Sequence, residues 1–246
     1  MKSVTICITN FQSGDAVALC IESVRKFTAY PHDIAVIDDH SDPALYGEEL
    51  AYLRACRDKG WIRLLENEAR HSHGPSLSRL LDTVTTDLAM VMDCDIQIQA
   101  GGWLEAMVAE QERTGAALVA NLEKFPDDNV HLQSWFFMLD MRQYPFIKDD
   151  WDYSYRKDGK PGMRGTGYLI QEHIAEQGRT ITPLPRELGG REPGFNSGVA
   201  WGVPGRWRHY CHISVLSAPQ IGPNWEVRRE RYAKIQDELR KLRGSA

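Results

Sequence analysis

Short apolar runs in the first part of the chain alternate with longer stretches in which apolar residues recur at helical spacing. The runs comprise residues 4–8, 34–37, 61–65 and 88–92. Runs of that length are typical of buried strands in a parallel sheet. Between them, apolar residues lie three or four positions apart, which is the spacing of one helix face. The pattern therefore predicts that strands and helices alternate through the first 95 residues.

Signals for helix starts agree with this alternation. Asp15 is positioned to cap a first helix over residues 16–27, Pro43 opens a second helix, and Gly74-Pro75-Ser76 opens a third. Strands that alternate with helices form a parallel sheet covered by helices on both faces, with right-handed crossovers. Further strands are predicted at 116–120, within 131–140 and at 180–184, and further helices at 104–113 and 166–178.

Polar clusters follow three of these strands. They are Thr9-Asn10, Asp38-Asp39 and the pair formed by Asp93 and Asp95. Ligands of parallel α/β sheets bind beyond the carboxyl ends of the strands, so three polar ends at one edge predict a binding site. Two carboxylates buried close together repel each other, and a divalent cation such as Mg²⁺ or Mn²⁺ relieves this. In the alternative reading, one carboxylate caps the next helix and the other is solvated.

Composition places the chain among ordinary globular proteins. It has 246 residues, of which 42% are hydrophobic and 26% charged, with a net charge of −5. One large domain is expected, and the charge does not indicate nucleic-acid binding. The five cysteines form no CxxC pair and are typical of reduced cysteines in a cytoplasmic protein. No signal peptide and no apolar run long enough to span a bilayer is expected.

Glycine-rich phosphate-binding motifs do not explain the polar strand ends. The first strand is not followed by GxGxxG, and the chain has no GxxxxGK[ST] motif. These absences disfavour a dinucleotide-binding Rossmann domain and a P-loop NTPase. Phosphate binding in this protein is therefore expected to involve a metal ion rather than a glycine cradle.

Three segments together resemble glycosyltransferase family 2 and its GT-A-fold relatives. These segments are residues 4–11, 34–42 and 92–95. The resemblance implies an α/β GT-A fold with a mostly parallel central sheet and helices on both faces. It also implies a single catalytic domain over residues 1–222, in which 1–120 bind the nucleotide-sugar and 121–222 form the acceptor half and a lid. The implied activity is glycosyl transfer from a nucleotide-sugar, with a UDP-sugar expected, and the implied cofactor is Mn²⁺ or Mg²⁺.

The resemblance also implies roles for individual residues. Thr9 and Asn10 would flank the nucleoside, Asp38 or Asp39 would accept hydrogen bonds from base or ribose, and Asp93 and Asp95 would serve ribose and metal. Gly74 resembles the family glycine before the helix that passes the nucleotide. That helix departs from the usual Ala-Arg-Asn, since residues 76–79 read Ser-Leu-Ser-Arg.

Residues 141–165 mix charges with aromatics and lack apolar periodicity. Such a loop is predicted to contact the acceptor, with an ordinary surface loop as the alternative. An inverting transferase needs a carboxylate base, for which Asp152 is preferred over Asp150 and Asp149. The family commonly has an acid where this chain has Gly165, and inversion or retention stays open. The glycine-rich residues 189–206 are predicted to form a lid or a flexible surface loop.

A histidine late in the chain often completes the metal shell of GT-A enzymes. His209 is the first choice for this ligand and His212 the second, and neutral imidazole suits Mn²⁺ better than Mg²⁺. A structural histidine is the alternative reading.

The last segment, residues 223–246, predicts an amphipathic helix. Its apolar positions form one narrow seam, made of Tyr232, Ile235, Leu239 and Leu242. The seam predicts packing on the chain's own domain or, alternatively, a homodimer.

Other functions stay open at this stage. A sugar nucleotidyltransferase shares the architecture, although residues 9–14 lack the basic residues that such enzymes usually carry. An inactive nucleotide-sugar-binding module is the third possibility. The acceptor is not identified and could be a glycan, a lipid-linked sugar, a natural product or a modified polymer.

Overall fold

Strands and helices alternate through the first part of the chain, as predicted. The structure is a computed structural model that describes residues 1–124, 130–147, 168–184, 207–210 and 225–244. The first elements are β1 (Val4–Asn10), α1 (Asp15–Phe27), β2 (Asp33–Asp38), α2 (Pro43–Asp58), β3 (Arg63–Glu66), α3 (His73–Leu81) and β4 (Leu88–Asp93).

The later elements include two short strands that the sequence pattern did not predict. They are β5 and β9, and three residues are too few for a period to show. The later elements are β5 (Ile96–Ile98), α4 (Trp103–Thr114), β6 (Leu118–Lys124), β7 (Val130–Asp140), α5 (Tyr168–Glu176), β8 (Ile181–Pro183), β9 (Trp207–His209) and α6 (Trp225–Gly244).

The main sheet has seven strands in the order β3-β2-β1-β4-β7-β6-β8. Strands β1 to β4 are mutually parallel, and β6 is parallel to β8. Strand β7 is antiparallel to both β4 and β6. The predicted mostly parallel sheet is therefore confirmed. A second, two-stranded sheet pairs β5 with β9 antiparallel.

Core side chains alternate between the two faces of this sheet, as the strand period requires. Ile6 and Ile8 of β1 pack in a cluster with α1 and α4, whereas Cys7 packs with α3 and α5 on the other face. The helices thus cover both faces, and the strands between them are buried on both sides. This explains why the strands read as continuous apolar runs rather than as alternating patterns.

The start of the second helix agrees with the sequence prediction, whereas the start of the first does not. Asp42 caps α2, with its carboxylate accepting from the Ala44 backbone N–H at 2.9 Å, and Pro43 occupies the first helical position. The predicted cap of α1 is wrong, because Gly14 occupies that position with a φ of 60° and Asp15 lies inside the helix. Asp15 instead accepts a hydrogen bond from Gln236 of α6 at 2.9 Å.

Helix α6 packs on α1 of the same chain. Ile235 and Leu239 are buried against Ala16 and Leu19, and Tyr232 and Leu242 pack partly buried beside them. The apolar seam therefore packs on the chain's own domain, as predicted, and the alternative of a homodimer stays a prediction. The division into domains at residue 222 stays a prediction.

The described cysteines Cys7, Cys20, Cys56 and Cys94 are buried and unbridged. Within the described residues, none of the helices combines the length and the apolar character that crossing a bilayer requires.

Candidate active site

The register of the parallel strands brings the three polar clusters to one edge of the sheet. Asn10 lies opposite Asp38 on the neighbouring strand, and Thr9 lies opposite Asp93. Since β1 lies between β2 and β4 in the sheet, its end joins the other two. The edge therefore presents side chains from all three predicted clusters side by side.

Asp93, Asp95 and His209 form a cluster at this edge. The Nε2 atom of His209 lies 3.0 Å from Oδ1 of Asp95 and 3.9 Å from Oδ2 of Asp93. One potential ligand atom from each of the three side chains lies within 4.8 Å of the others. Asp93 is the last residue of β4, and Asp95 precedes β5. The pairing of β5 with β9 places His209 opposite Ile96, which delivers the imidazole to the carboxylates.

Aromatic packing holds the His209 ring in place. Trp135 of β7 stacks on it, with ring centroids 4.4 Å apart and an interplanar angle of 25°. Trp207 of β9 lies 5.5 Å from Trp135 between ring centroids. The imidazole is therefore buried and fixed on its aromatic side, while its Nε2 atom faces the two aspartates.

The electrostatics of the cluster favour a bound cation. Burial raises the pKa of Asp93 and the charge of Asp95 adds to this, whereas His73 and His209 act in the opposite direction. Among the described residues, the buried Oδ1 of Asp93 has no hydrogen-bond partner. A divalent cation held by these side chains would supply the compensating positive charge and would keep both carboxylates ionised. Two carboxylates with one neutral imidazole form a donor set that suits Mn²⁺.

Asn10 and Asp38 belong to a buried network that includes a residue the sequence analysis missed. The Asn10 amide donates to Oδ1 of Asp38 at 2.8 Å and to Oε1 of Glu49 at 2.5 Å. Ser41 donates to Asp38 at 2.6 Å, and the Gly14 backbone N–H donates to Glu49. Burial raises the pKa of Glu49 to about 7, against the lowering effect of these hydrogen bonds. The network ties the loop after β1 to α2.

The sequence does contain a signal for Glu49. It shares one helix face with Leu53 and Cys56, at spacings of four and three residues, and both of those are buried. A carboxylate on an otherwise apolar face indicates a buried polar contact. Its partners, however, depend on the tertiary structure.

Asp39 does not join the network of Asn10 and Glu49 through its side chain, and its carboxylate anchors the loop before α3. Its carboxylate accepts from the backbone N–H groups of His71 at 2.8 Å and Ser72 at 3.0 Å. It also accepts from the Ser76 hydroxyl at 2.7 Å and the Asn67 amide at 2.9 Å. These bonds fix the start of α3 against the end of β2.

Helix α3 contributes Gly74 and a second missed residue, His73. Gly74 is buried in the first turn, next to His73. The Nδ1 atom of His73 lies 3.4 Å from the Thr9 hydroxyl, and its Nε2 atom lies 4.0 Å from Oδ1 of Asp93. Nothing in the local pattern marks His73, because its position depends on how α3 is anchored by Asp39.

Several predicted site residues lie outside the described residues. They are the candidate bases Asp149, Asp150 and Asp152, together with Gly165, the glycine-rich 189–206 segment and His212. All other predicted site residues lie at the edge formed by β1, β2, β4 and the start of α3.

Comparison with known proteins gives a family match. Residues 5–166 match the family described as Glycosyl transferase family 2. Among curated protein sequences, none matches this chain.

Solved structures of glycosyltransferases share the fold. A mannosyltransferase, PcManGT from Pyrobaculum calidifontis, solved with GDP-Man and Mn²⁺, has a TM-score of 0.56 and 15% identity, over 74% of this chain and 55% of that one. GalNAc-T7, solved with UDP, GalNAc and Mn²⁺, has a TM-score of 0.59 and 14% identity, over 75% of this chain and 43% of that one. The chain thus spans about half the length of these two proteins.

A third structure covers nearly the whole chain. TarS residues 1–349 of S. aureus has a TM-score of 0.53 and 14% identity, over 98% of this chain and 72% of that one. At these identities the likeness concerns the fold, and the predicted GT-A fold is confirmed.

Proposed function

The chain belongs to glycosyl transferase family 2, and we propose that it transfers a glycosyl group from a nucleotide-sugar, with a UDP-sugar as the expected donor, to an acceptor hydroxyl. The observation that carries this proposal is the cluster of Asp93, Asp95 and His209 at the carboxyl edge of the sheet. Ligands of such sheets bind at this edge, so a metal held by the cluster would lie where the donor diphosphate binds. Two similar folds solved with Mn²⁺ and nucleotides or nucleotide-sugars support it.

In this proposal Asp93, Asp95 and His209 hold Mn²⁺ or Mg²⁺, of which the imidazole favours Mn²⁺. When bound, the cation would supply positive charge that stabilises the departing diphosphate. Its fit rests on the donor set and on the buried Asp93 Oδ1, which lacks a hydrogen-bond partner among the described residues.

The remaining residues of the edge bind and orient the donor. Thr9 would flank the nucleoside. Asn10, Asp38 and Asp39 are buried in hydrogen-bonded networks and would shape the pocket for base and ribose from behind it. These networks limit their movement. For an inverting transfer we propose Asp152, or alternatively Asp150, as the base that takes the proton of the acceptor hydroxyl.

A thermal-shift screen of UDP, GDP, ADP and CDP, each with Mn²⁺ or with EDTA, tests donor binding. A nucleotide at 100 times its Kd stabilises the native state by about 2.7 kcal/mol. We expect one of these nucleotides to raise Tm with Mn²⁺ and not with EDTA. Asp95→Asn should abolish the Mn²⁺-dependent shift, whereas the exposed Glu48→Gln should keep it. No shift with any of the four would contradict the proposal.

Product analysis separates the three candidate activities. A glycosyltransferase should hydrolyse its nucleotide-sugar slowly in the presence of Mn²⁺ without any acceptor. Release of pyrophosphate from a nucleoside triphosphate and a sugar phosphate would instead indicate a nucleotidyltransferase. Binding without either reaction would indicate an inactive module.

A further inference from the structure

The antiparallel ribbon formed by β5 and β9 carries His209 to the two aspartates, although both of its strands are short. Each strand has three residues, Ile96–Ile98 in β5 and Trp207–His209 in β9. An isolated two-stranded ribbon is marginally stable at best, so it needs packing against other elements to hold its position. The position of the His209 imidazole therefore depends on what the ribbon packs against.

Helix α6 supports the end of β9 through Arg231. The guanidinium of this residue donates from Nη1 to the backbone carbonyl of Tyr210 at 2.9 Å. The backbone N–H of Tyr210 donates in turn to the carbonyl oxygen of Asp95 at 3.0 Å. Tyr210 directly follows His209 in the chain. Both backbone groups of the residue after His209 are therefore fixed, one by the cluster and the other by α6.

The side chain of Arg231 is buried in the protein. The residue is 5% exposed, whereas Arg229 of the same helix is exposed. Arginine is almost never fully buried unless it is paired, because removing its charge from water costs free energy. The burial of this guanidinium therefore indicates a specific role at the end of β9.

A second set of contacts joins α6 to strand β5. The Tyr210 hydroxyl donates to Oε1 of Gln97 at 2.8 Å, and the Gln97 amide donates to Glu238 of α6 at 3.3 Å. The Tyr210 side chain is buried in a cluster with Ile235 and Leu239 of the same helix. Both strands of the ribbon are therefore attached to α6.

We propose that Arg231 is a positioning residue, which holds Tyr210 and thereby keeps the His209 imidazole where it can share a cation with the two aspartates. Arg231 is not itself a metal ligand, since a guanidinium has no acceptor lone pair to offer. The inference rests on the proposed function, because it needs a divalent cation at the cluster.

The charge of Arg231 separates this role from a simple electrostatic effect. A positive side chain near the cluster repels a metal ion, so removing that charge would by itself strengthen metal binding. Loss of the positioning contact should weaken metal binding instead. The two effects have opposite signs, so weaker binding by a folded variant cannot result from the lost charge.

The first test measures binding of Mn²⁺ alone, from the electron paramagnetic resonance signal of the free ion, to the wild-type protein and to Arg231→Met. Methionine is a flexible apolar side chain that can fill much of the same space, but it cannot donate to the Tyr210 carbonyl. We expect the Kd for Mn²⁺ to rise about 10-fold or more, as loss of a group that orients a ligand typically produces. Arg231→Lys retains a charged donor and should lie between Arg231→Met and the wild type.

Arg229→Met and Gln236→Ala are the matched controls. Arg229 carries the same charge on the same helix but is exposed, and Gln236 joins α6 to Asp15 rather than to the ribbon. Neither substitution should raise the Kd for Mn²⁺. Urea unfolding of every variant establishes that it is folded under the conditions of the titration.

Hydrogen exchange of the wild-type protein tests the same coupling without any substitution. Coupling between two sites is reciprocal, so a contact that favours metal binding must itself be favoured by the metal. Mn²⁺ should therefore slow amide exchange in residues 231–239 of α6 as well as in the ribbon. Exchange in α5, which packs on the opposite face of the main sheet, should not change.

The possible results distinguish this inference from the proposed function. A folded Arg231→Met protein that binds Mn²⁺ with the wild-type Kd would overturn the inference and leave the proposed function standing. If that variant does not fold, the exchange measurement decides, and protection confined to the ribbon would overturn the inference. A wild-type protein that binds no Mn²⁺ would remove the metal from the proposed function and this inference with it.

Discussion

The indole ring of Trp135 stacks on the imidazole ring of His209, with ring centroids 4.4 Å apart. Trp135 comes from β7, the antiparallel neighbour of β4. Strand β4, which ends in Asp93, is therefore adjacent to the strand that carries the ring supporting His209. This arrangement couples the cluster of Asp93, Asp95 and His209 to the buried core of the sheet.

Replacing Trp135 should weaken metal binding, although Trp135 is not itself one of the proposed metal ligands. Trp135→Leu frees the His209 ring, and we expect the apparent affinity for Mn²⁺ to fall about 10- to 100-fold, as loss of groups that orient a ligand typically does. The measurement is a Mn²⁺ titration of the nucleotide-dependent thermal shift. Trp135→Phe, which keeps an aromatic stack, should lie close to the wild type.

Trp61→Leu serves as the control for this prediction. Trp61 lines a groove at the start of β2 and β3 and packs against Arg25. Its replacement should leave the Mn²⁺ titration unchanged. An unaltered titration in Trp135→Leu would mean that the stack does not orient His209.

Glu49 should make the stability of the protein depend on pH. Burial raises its pKa from 4.5 to about 7, so between these values the folded chain binds more protons than the unfolded chain. The free energy of unfolding therefore falls as pH rises through this window. Glu49→Gln removes the titrating group. The free energy of unfolding of this variant minus that of the wild type should therefore be about 2–3 kcal/mol higher at pH 8 than at pH 5.

Urea unfolding at the two pH values measures this difference. Glu48→Gln is the matched control, because Glu48 is the exposed neighbour on the same helix. That variant should follow the wild type at both pH values. Equal effects of Glu49→Gln at pH 5 and pH 8 would refute a raised pKa.

Gly14 should resist replacement by alanine for two separable reasons. Its φ of 60° and ψ of −129° form a conformation that residues with a side chain rarely adopt, and an added methyl group would overlap the Tyr232 hydroxyl. The backbone strain should cost about 1–3 kcal/mol, and the overlap should add about 1–3 kcal/mol. Gly60 has a φ of 69° and open space around it, so Gly60→Ala reports the cost of alanine at a positive φ without an overlap.

A double-mutant cycle isolates the contact between Gly14 and α6. Combined with Tyr232→Ala, Gly14→Ala should cost less than it does alone, since the overlap is gone. Denaturant unfolding of the four proteins gives the coupling. Additive costs would show that α6 does not press on this loop.

Asp39 should be more important for the order of the α3 loop than Asp42 is for α2. Asp39→Asn replaces an acceptor that serves two backbone N–H groups and two side chains with a group that can accept through only one oxygen. We expect a loss of about 3 kcal/mol and faster hydrogen exchange at the His71 and Ser72 amides. Asp42→Asn keeps a good capping residue and should cost little. Similar exchange in both variants would argue against the anchoring role.

The sequence alone determined the central sheet and the edge where the site lies. The apolar runs of β1, β2 and β4 and the helical spacing between them are local patterns, so they can be recognised without knowledge of the fold. Once those strands are parallel, their carboxyl ends must meet at one edge. That is why Thr9, Asn10, Asp38 and Asp93 could be grouped from their positions along the chain.

The family resemblance pointed to His209, but only the tertiary structure decided how distant residues reach that edge. His209 reaches Asp95 because β9 pairs with β5, two strands of three residues that lie far apart in the chain and have no periodic signal. Asp38 and Asp39 are consecutive, yet one shares the Asn10 amide with Glu49 and the other binds the start of α3, and helix placement determines those partners. His73 likewise meets Asp93 because Asp39 anchors its loop. Such contacts depend on how elements dock, and docking is set by the packing of the whole core rather than by any local pattern.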